Sequence, residues 1–148
     1  KQVPILSLNA SDMERQPGFK LTKGFLHRMI QAVVYGDAIM QCVLATRPYE
    51  KNPGSTDALC DYWLKKLHLQ AFVNQQDIKE IIHDFDNLPV NKDVQKPRVG
   101  VVGEIYVKFH PSANNHINEL IEKEGGEVVT SGLLDFFLYC AMDSTYRA

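Results

Sequence analysis

The chain has 148 residues, 45% of them hydrophobic and 23% charged, with a formal net charge of −2. That length suits a single domain able to bury a core without disulfide or metal staples. The composition is that of a soluble globular protein, not of a disordered tail or a nucleic-acid binder.

The most apolar stretch, MIQAVVYGDAIMQCVLA from Met29, is interrupted by Gln31, Asp37 and Gln41, which argues against a membrane span. No signal-peptide pattern is expected in the residues before it. Cys42, Cys60 and Cys140 are an odd number, widely spaced and without a C-x-x-C pair, which fits a reducing cytoplasm. The chain opens at Lys1 without a methionine, so residues 1–148 read as one domain cut from a larger multidomain protein.

In chain order, VPILSLN (Val3 to Asn9) reads as a buried strand followed by a polar loop. From about Leu21 to Thr46 apolar residues recur at helical intervals until Pro48 ends the pattern. A second helix is expected over Ser55 to His68, with Leu59, Tyr62, Trp63 and Leu67 on one face. A third, Gln75 to Asp86, carries Ile78, Ile81, Ile82 and Phe85 at the spacing of a core-facing stripe.

After a polar connector, RVGVVGEI from Arg98 is a near-continuous β-branched run and reads as a central strand. A helix with Ile117, Leu120 and Ile121 stops at Gly125-Gly126. EVVT (Glu127 to Thr130) is a short strand, and LLDFFLYCAM a buried helix. Arg98 to Thr130 is thus a strand, helix, strand crossover. The expected fold is a small three-layer α/β domain, Rossmann- or flavodoxin-like, with a short parallel sheet and a helix-rich middle.

NPGSTD (Asn52 to Asp57) poses a choice between a phosphate-gripping turn and a helix start. It follows a helix, holds one glycine and lacks a lysine after it, so Ser55, Thr56 or Asp57 is expected to cap the next helix. Arg47 complements the negative end of the long helix, with Glu50 a solvated or paired charge, or the two form a polar pair. The loop Gly103 to His116 is the strongest positional candidate for a ligand, because ligands gather beyond the carboxyl ends of parallel strands. Its candidate residues are Glu104, Ser112, Asn114 and Asn115, the alternative being that Ser112 or Asn114 is an ordinary helix cap and Glu104 a partner for nearby donors. The five histidines show no metal-binding spacing, no G-x-S-x-G elbow is present, and Cys140 reads as a core residue.

YGDAIMQCVLATRPYEKNPGSTDAL and KPRVGVVGEIYVKFHPSANNHINELIEKEGGEVV together resemble the 2-hydroxyacyl-CoA dehydratase activators and activator-related proteins. The resemblance covers nearly the whole chain. It implies a parent that combines an actin-like ATPase with dehydratase-like portions, this segment being one of the latter. The family drives an electron from an iron–sulfur cluster into a dehydratase that removes water from a 2-hydroxyacyl-CoA. RPYE (Arg47 to Glu50) is similar to the end of the corresponding helix in dehydratase subunits, which implies a packing or interdomain role for Arg47 and Glu50. Cluster-binding subunits place a cysteine where Glu104 stands here, and a carboxylate is too hard a ligand for such a cluster. The expectation is a non-catalytic dehydratase-like domain offering an interdomain or acyl-CoA-type ligand-binding surface. It has no cofactor in this segment, a [4Fe–4S] cluster at most in the full-length protein, and neither nucleic acid nor membrane as partner. The alternative is part of a genuine [4Fe–4S] dehydratase component, with Cys140 as its local ligand.

Overall fold

The computed structural model describes residues 22–69 and 74–146. The expected strand at Val3 to Asn9 and the loop after it lie outside the described residues.

Helix α1 (Lys23–Thr46) starts where the Thr22 hydroxyl accepts the Phe25 N–H at 3.2 Å. It gives way to a 3₁₀ turn, Arg47–Tyr49, containing Pro48. Proline has no N–H to continue the α-helical ladder. Helices α2 (Ser55–Leu69) and α3 (Gln75–Asp86) follow. Helix α3 begins with a reciprocal cap: Asn74 Oδ1 accepts the Gln76 and Asp77 N–H groups at 2.8 and 3.3 Å, and Asp77 Oδ2 accepts the Asn74 N–H at 2.8 Å. Three N–H groups at the helix start are thereby satisfied.

The core lies among these three helices. Tyr35, Ile39 and Val43 descend one face of α1 at four-residue spacing and meet Trp63 of α2 with Ile81 and Phe85 of α3. Polar atoms entering this core are paired: the Tyr35 hydroxyl donates to the Asn74 carbonyl at 2.5 Å, and Trp63 Nε1 to Asp84 at 3.1 Å. Burial, and secondarily Asp77, raises the Tyr35 phenol above its ordinary pKa.

The second half runs β1 (Arg98–Gly100), α4 (Ile105–Phe109), α5 (Ile117–Lys123), β2 (Glu127–Val129) and α6 (Leu133–Tyr146). The two strands pair in parallel, with Arg98 opposite Glu127, Val99 opposite Val128 and Gly100 opposite Val129. Gly125 takes a left-handed φ of 88° after α5. At Gly126 an added Cβ would lie 2.8 Å from Ile121 Cγ2, so α5 can close onto the sheet only over a glycine.

The parallel pairing matches the expectation, but the three-layer Rossmann- or flavodoxin-like α/β domain does not form. Among the described residues the sheet has two strands of three residues, against six α-helices. The run from Arg98 ceases to be strand at Gly100 because Glu104 turns the chain into α4. β1 is solvent-exposed along its length and Val102 is 90% exposed, so this run lacks the cover on both faces that a central parallel strand needs. LLDFFLYCAM is a helix but not a buried one: residues 135–142 are all exposed.

One helix, over Lys23–Tyr49, is long and apolar enough to cross a membrane by length and composition. Two of its interrupting polar residues bond to the second half of the chain. Asp37 accepts the Leu133 and Leu134 N–H groups at 2.9 and 2.7 Å, and Gln41 donates to the Thr130 carbonyl at 2.8 Å. Gly132 permits the first contact, since a Cβ there would lie 2.5 Å from Asp37 Oδ2.

Ile81 is fully buried whereas its neighbour Ile82 is 45% exposed. Ile81→Ala is expected to lower unfolding free energy by about 2–5 kcal/mol and Ile82→Ala by less than about 1 kcal/mol. Urea titrations of the two variants check this.

Candidate functional site

The RPYE segment is a junction of the fold. Arg47 forms a bidentate pair with Glu122 of α5, Nε to Oε2 at 2.7 Å and Nη2 to Oε1 at 2.9 Å, and its Nη1 reaches Asp57 of α2 at 3.2 Å. The Glu122 hydrogen bonds push the guanidinium pKa further up against the opposing effect of burial. The Tyr49 hydroxyl donates to Glu127 at 2.7 Å and accepts the Lys96 N–H at 3.4 Å, while Glu127 also pairs with Arg98 at 3.2 Å.

Glu50 resolves the NPGSTD ambiguity. Its Oε1 accepts the Gly54 N–H at 2.7 Å, and its Oε2 accepts the Thr56 N–H at 2.9 Å and the Ser55 hydroxyl at 3.2 Å. The stretch is a helix start that grips an anion, and the anion is the chain's own carboxylate. Burial pushes Glu50 up, but the Thr56 and Gly54 N–H groups outweigh it and hold the carboxyl below its ordinary value of 4.5. Capping therefore comes from Glu50, not from Ser55, Thr56 or Asp57. Ser55 opens the helix itself and Asp57 lies in its first turn. The signal missed is a carboxylate five residues before the helix start, folded back across a Pro-Gly turn.

A cleft of about 510 Å³ lies beyond the carboxyl ends of β1 and β2, between α4 and α6. Glu104 and Lys108 stand on one side, Ser131 and Asp135 on the other, with Phe109, Phe136 and Tyr139 as aromatic walls. Lys108 Nζ donates to the Ser131 hydroxyl and sits 4.9 Å from the centre of the Phe109 ring. Glu104 caps α4 by accepting the Val107 N–H at 3.1 Å. Asp135 accepts the Gly132 N–H at 3.0 Å.

Lys108 and Phe109 also border a second cavity of about 210 Å³, which Arg47, Asn114 and His116 help to line. Asn114 fixes this turn, donating to the Lys108 carbonyl at 3.2 Å and accepting the Ile117 N–H at 3.3 Å. Asn115 and His116 are both left-handed, with φ of 54° and 56°, a costly arrangement for two consecutive non-glycine residues.

Of the ligand candidates read from the sequence, Glu104 thus borders the larger cleft and Asn114 the smaller cavity, while Ser112 and Asn115 border neither. Arg47 and Glu50 lie close in the chain but engage different partners and do not pair with each other. Sequence reasoning missed Lys108 and Ser131, which are 23 positions apart and carry no motif.

Cys140, expected in the core, is exposed on α6. Cys42 and Cys60 are half-buried, and burial raises both thiols above their ordinary pKa. Among the described residues no three His, Cys, Asp or Glu side chains converge as metal ligands. No protein-family model, curated protein or solved structure matches the chain.

Two outcomes follow. Glu50 has a lowered folded-state pKa, so its stabilisation is complete above about pH 4.5 and lost as pH falls through the folded value. Glu50→Gln should cost about 1 kcal/mol at neutral pH and flatten the stability profile below about pH 5, read by urea unfolding across pH. For the half-buried Arg47–Glu122 pair, a double-mutant cycle with Ala is expected to give a coupling of about 1–3 kcal/mol.

Proposed function

We propose that this chain is a non-catalytic, dehydratase-like domain of a 2-hydroxyacyl-CoA dehydratase activator-related protein. Its working surface is the cleft between α4 and α6, which takes an acyl-CoA-type ligand. The resemblance of the RPYE and RVGVVGE regions supplies the family. The observation that carries the ligand is the cleft itself, at about 510 Å³ within the usual range for small-molecule sites.

The chemistry of the walls suits an acyl-pantetheine arm. Phe109, Phe136 and Tyr139 offer apolar surface, and the Lys108 ammonium supplies a cation within reach of a phosphate or thioester oxygen. Glu104 shapes the rim as the cap of α4 and is not free to act as a base. The other domains of a larger cytoplasmic parent supply the remaining partners, and any [4Fe–4S] cluster is held by them.

The test is thermal unfolding of the chain with a short-chain acyl-CoA at millimolar concentration. A ligand present at about 100 times its Kd stabilises by about 2.7 kcal/mol, a rise of several degrees in Tm. Lys108→Ala should lose at least half of that rise. No rise in the unsubstituted chain removes the acyl-CoA reading, and an equal rise in both forms moves the ligand away from this cleft.

A further inference from the structure

We propose that Lys108 and Ser131 together receive the thioester carbonyl of the ligand, so that the α4–α6 cleft reads the acyl-pantetheine end of an acyl-CoA and not its phosphates. The inference rests on the acyl-CoA reading of that cleft and adds which part of the molecule is recognised.

A hydroxyl has one hydrogen to donate and two acceptor positions, and an ammonium has three hydrogens. Lys108 Nζ donates to Ser131 Oγ, which uses one ammonium hydrogen and one acceptor position of the hydroxyl. The Ser131 hydrogen has no acceptor among the described residues. A cationic and a neutral donor thus stand side by side on the lining of the cleft. One carbonyl oxygen, with two lone pairs, can accept from both.

Ser131 is held from both sides by α1. Before it, Gln41 donates to the Thr130 carbonyl at 2.8 Å, and the buried Thr130 hydroxyl donates to the Val101 carbonyl at 3.3 Å. After it, Asp37 accepts the Leu133 and Leu134 N–H groups at 2.9 and 2.7 Å. Gly132, the residue before α6, has no side chain to cap the helix, so the capping acceptor arrives from α1 one turn away from Gln41. On the facing wall, Asn114 Nδ2 donates to the Lys108 carbonyl at 3.2 Å. Donors fixed before the ligand arrives lose little freedom on binding it.

Charge favours a carbonyl over a phosphate. The lining sets one ammonium, Lys108, against two carboxylates, Glu104 and Asp135. Both carboxylates accept backbone N–H groups, from Val107 at 3.1 Å and Gly132 at 3.0 Å, which orients them without removing their charge. A phosphate dianion would add to a lining already negative in sum, and like charges brought together oppose binding. A thioester oxygen brings no charge and occupies both donors. Phe136 and Tyr139, three positions apart on one face of α6, stand with Phe109 as apolar cover for the acyl chain.

Isothermal titration calorimetry of the 148-residue chain tests the assignment with three probes. They are butyryl-CoA, S-butyryl pantetheine, and S-butyl pantetheine, the thioether in which a methylene replaces the carbonyl. S-butyryl pantetheine is expected to bind within about threefold of butyryl-CoA, and the thioether about tenfold or more weaker, having lost two hydrogen bonds. Ser131→Ala should weaken S-butyryl pantetheine by about three- to tenfold and leave the thioether unchanged, a selectivity that general loosening of the cleft would not produce. If that variant fails to fold, the comparison of thioester with thioether in the unsubstituted chain decides the matter. Butyryl-CoA binding without S-butyryl pantetheine binding overturns the inference, because the nucleotide is then what is held, and leaves the acyl-CoA reading standing. Equal affinity for thioester and thioether overturns it as well. No binding of butyryl-CoA or S-butyryl pantetheine removes the acyl-CoA reading and this inference with it.

Discussion

The end of α1 is the point on which the two halves of the molecule depend. Pro48 forces the helix into a 3₁₀ turn, and the turn sends three neighbouring polar side chains to three separate elements. Arg47 binds α5 through Glu122, Tyr49 binds β2 through Glu127, and Glu50 binds the start of α2. Each contact uses a charged group with its partner supplied by the fold, the class of hydrogen bond that contributes most and is most costly to leave half-made. Lys51 and Asn91 extend the junction through backbone bonds to Pro89 and Tyr49 at 2.8 Å each.

The halves are consequently held by different forces. The three long helices share an apolar core of Tyr35, Ile39, Val43, Trp63, Ile81 and Phe85, where burial of area is the driving term. The β1-to-α6 half is joined to α1 and the turn after it by polar bonds from Asp37, Gln41, Arg47 and Tyr49, besides the buried Leu44 of α1 and Val128 of β2. Polar bonds fix geometry without themselves covering apolar surface. Val102, Tyr106 and residues 135–142 of α6 are exposed, with the α4–α6 cleft opening beside them. The functional surface is therefore what the fold does not cover.

Much of this was legible locally. The spacing of Ile78, Ile81, Ile82 and Phe85 marks α3 over the residues where it forms, because helix periodicity and the Asn74–Asp77 cap act within four positions. The Gly125-Gly126 stop and the pairing of the Arg98 and Glu127 strands are read from turn chemistry and β-branched runs in the same way. The larger architecture was not legible. RVGVVGEI has the composition of a buried central strand, but composition does not say whether other strands lie beside it, and β1 is exposed with β2 as its described partner. The exposure of LLDFFLYCAM was hidden for the same reason: an apolar helix reads as buried until its neighbours are known.

The sequence by itself determined the approximate spans of α1, α2 and α3, that Trp63, Ile81 and Phe85 face a common core, and that NPGSTD starts a helix, but not α4 or the exposure of Tyr62 and Ile82. The features it determined are consequences of interactions within one or two helical turns. Only the tertiary structure decided that Glu50 fills the anion position at that helix start, that Lys108 meets Ser131 in a cleft, and that α6 lies open to solvent. Those outcomes depend on contacts made after the chain has turned back on itself. Local spacing carries no information about which side chain arrives there or whether a face is left uncovered.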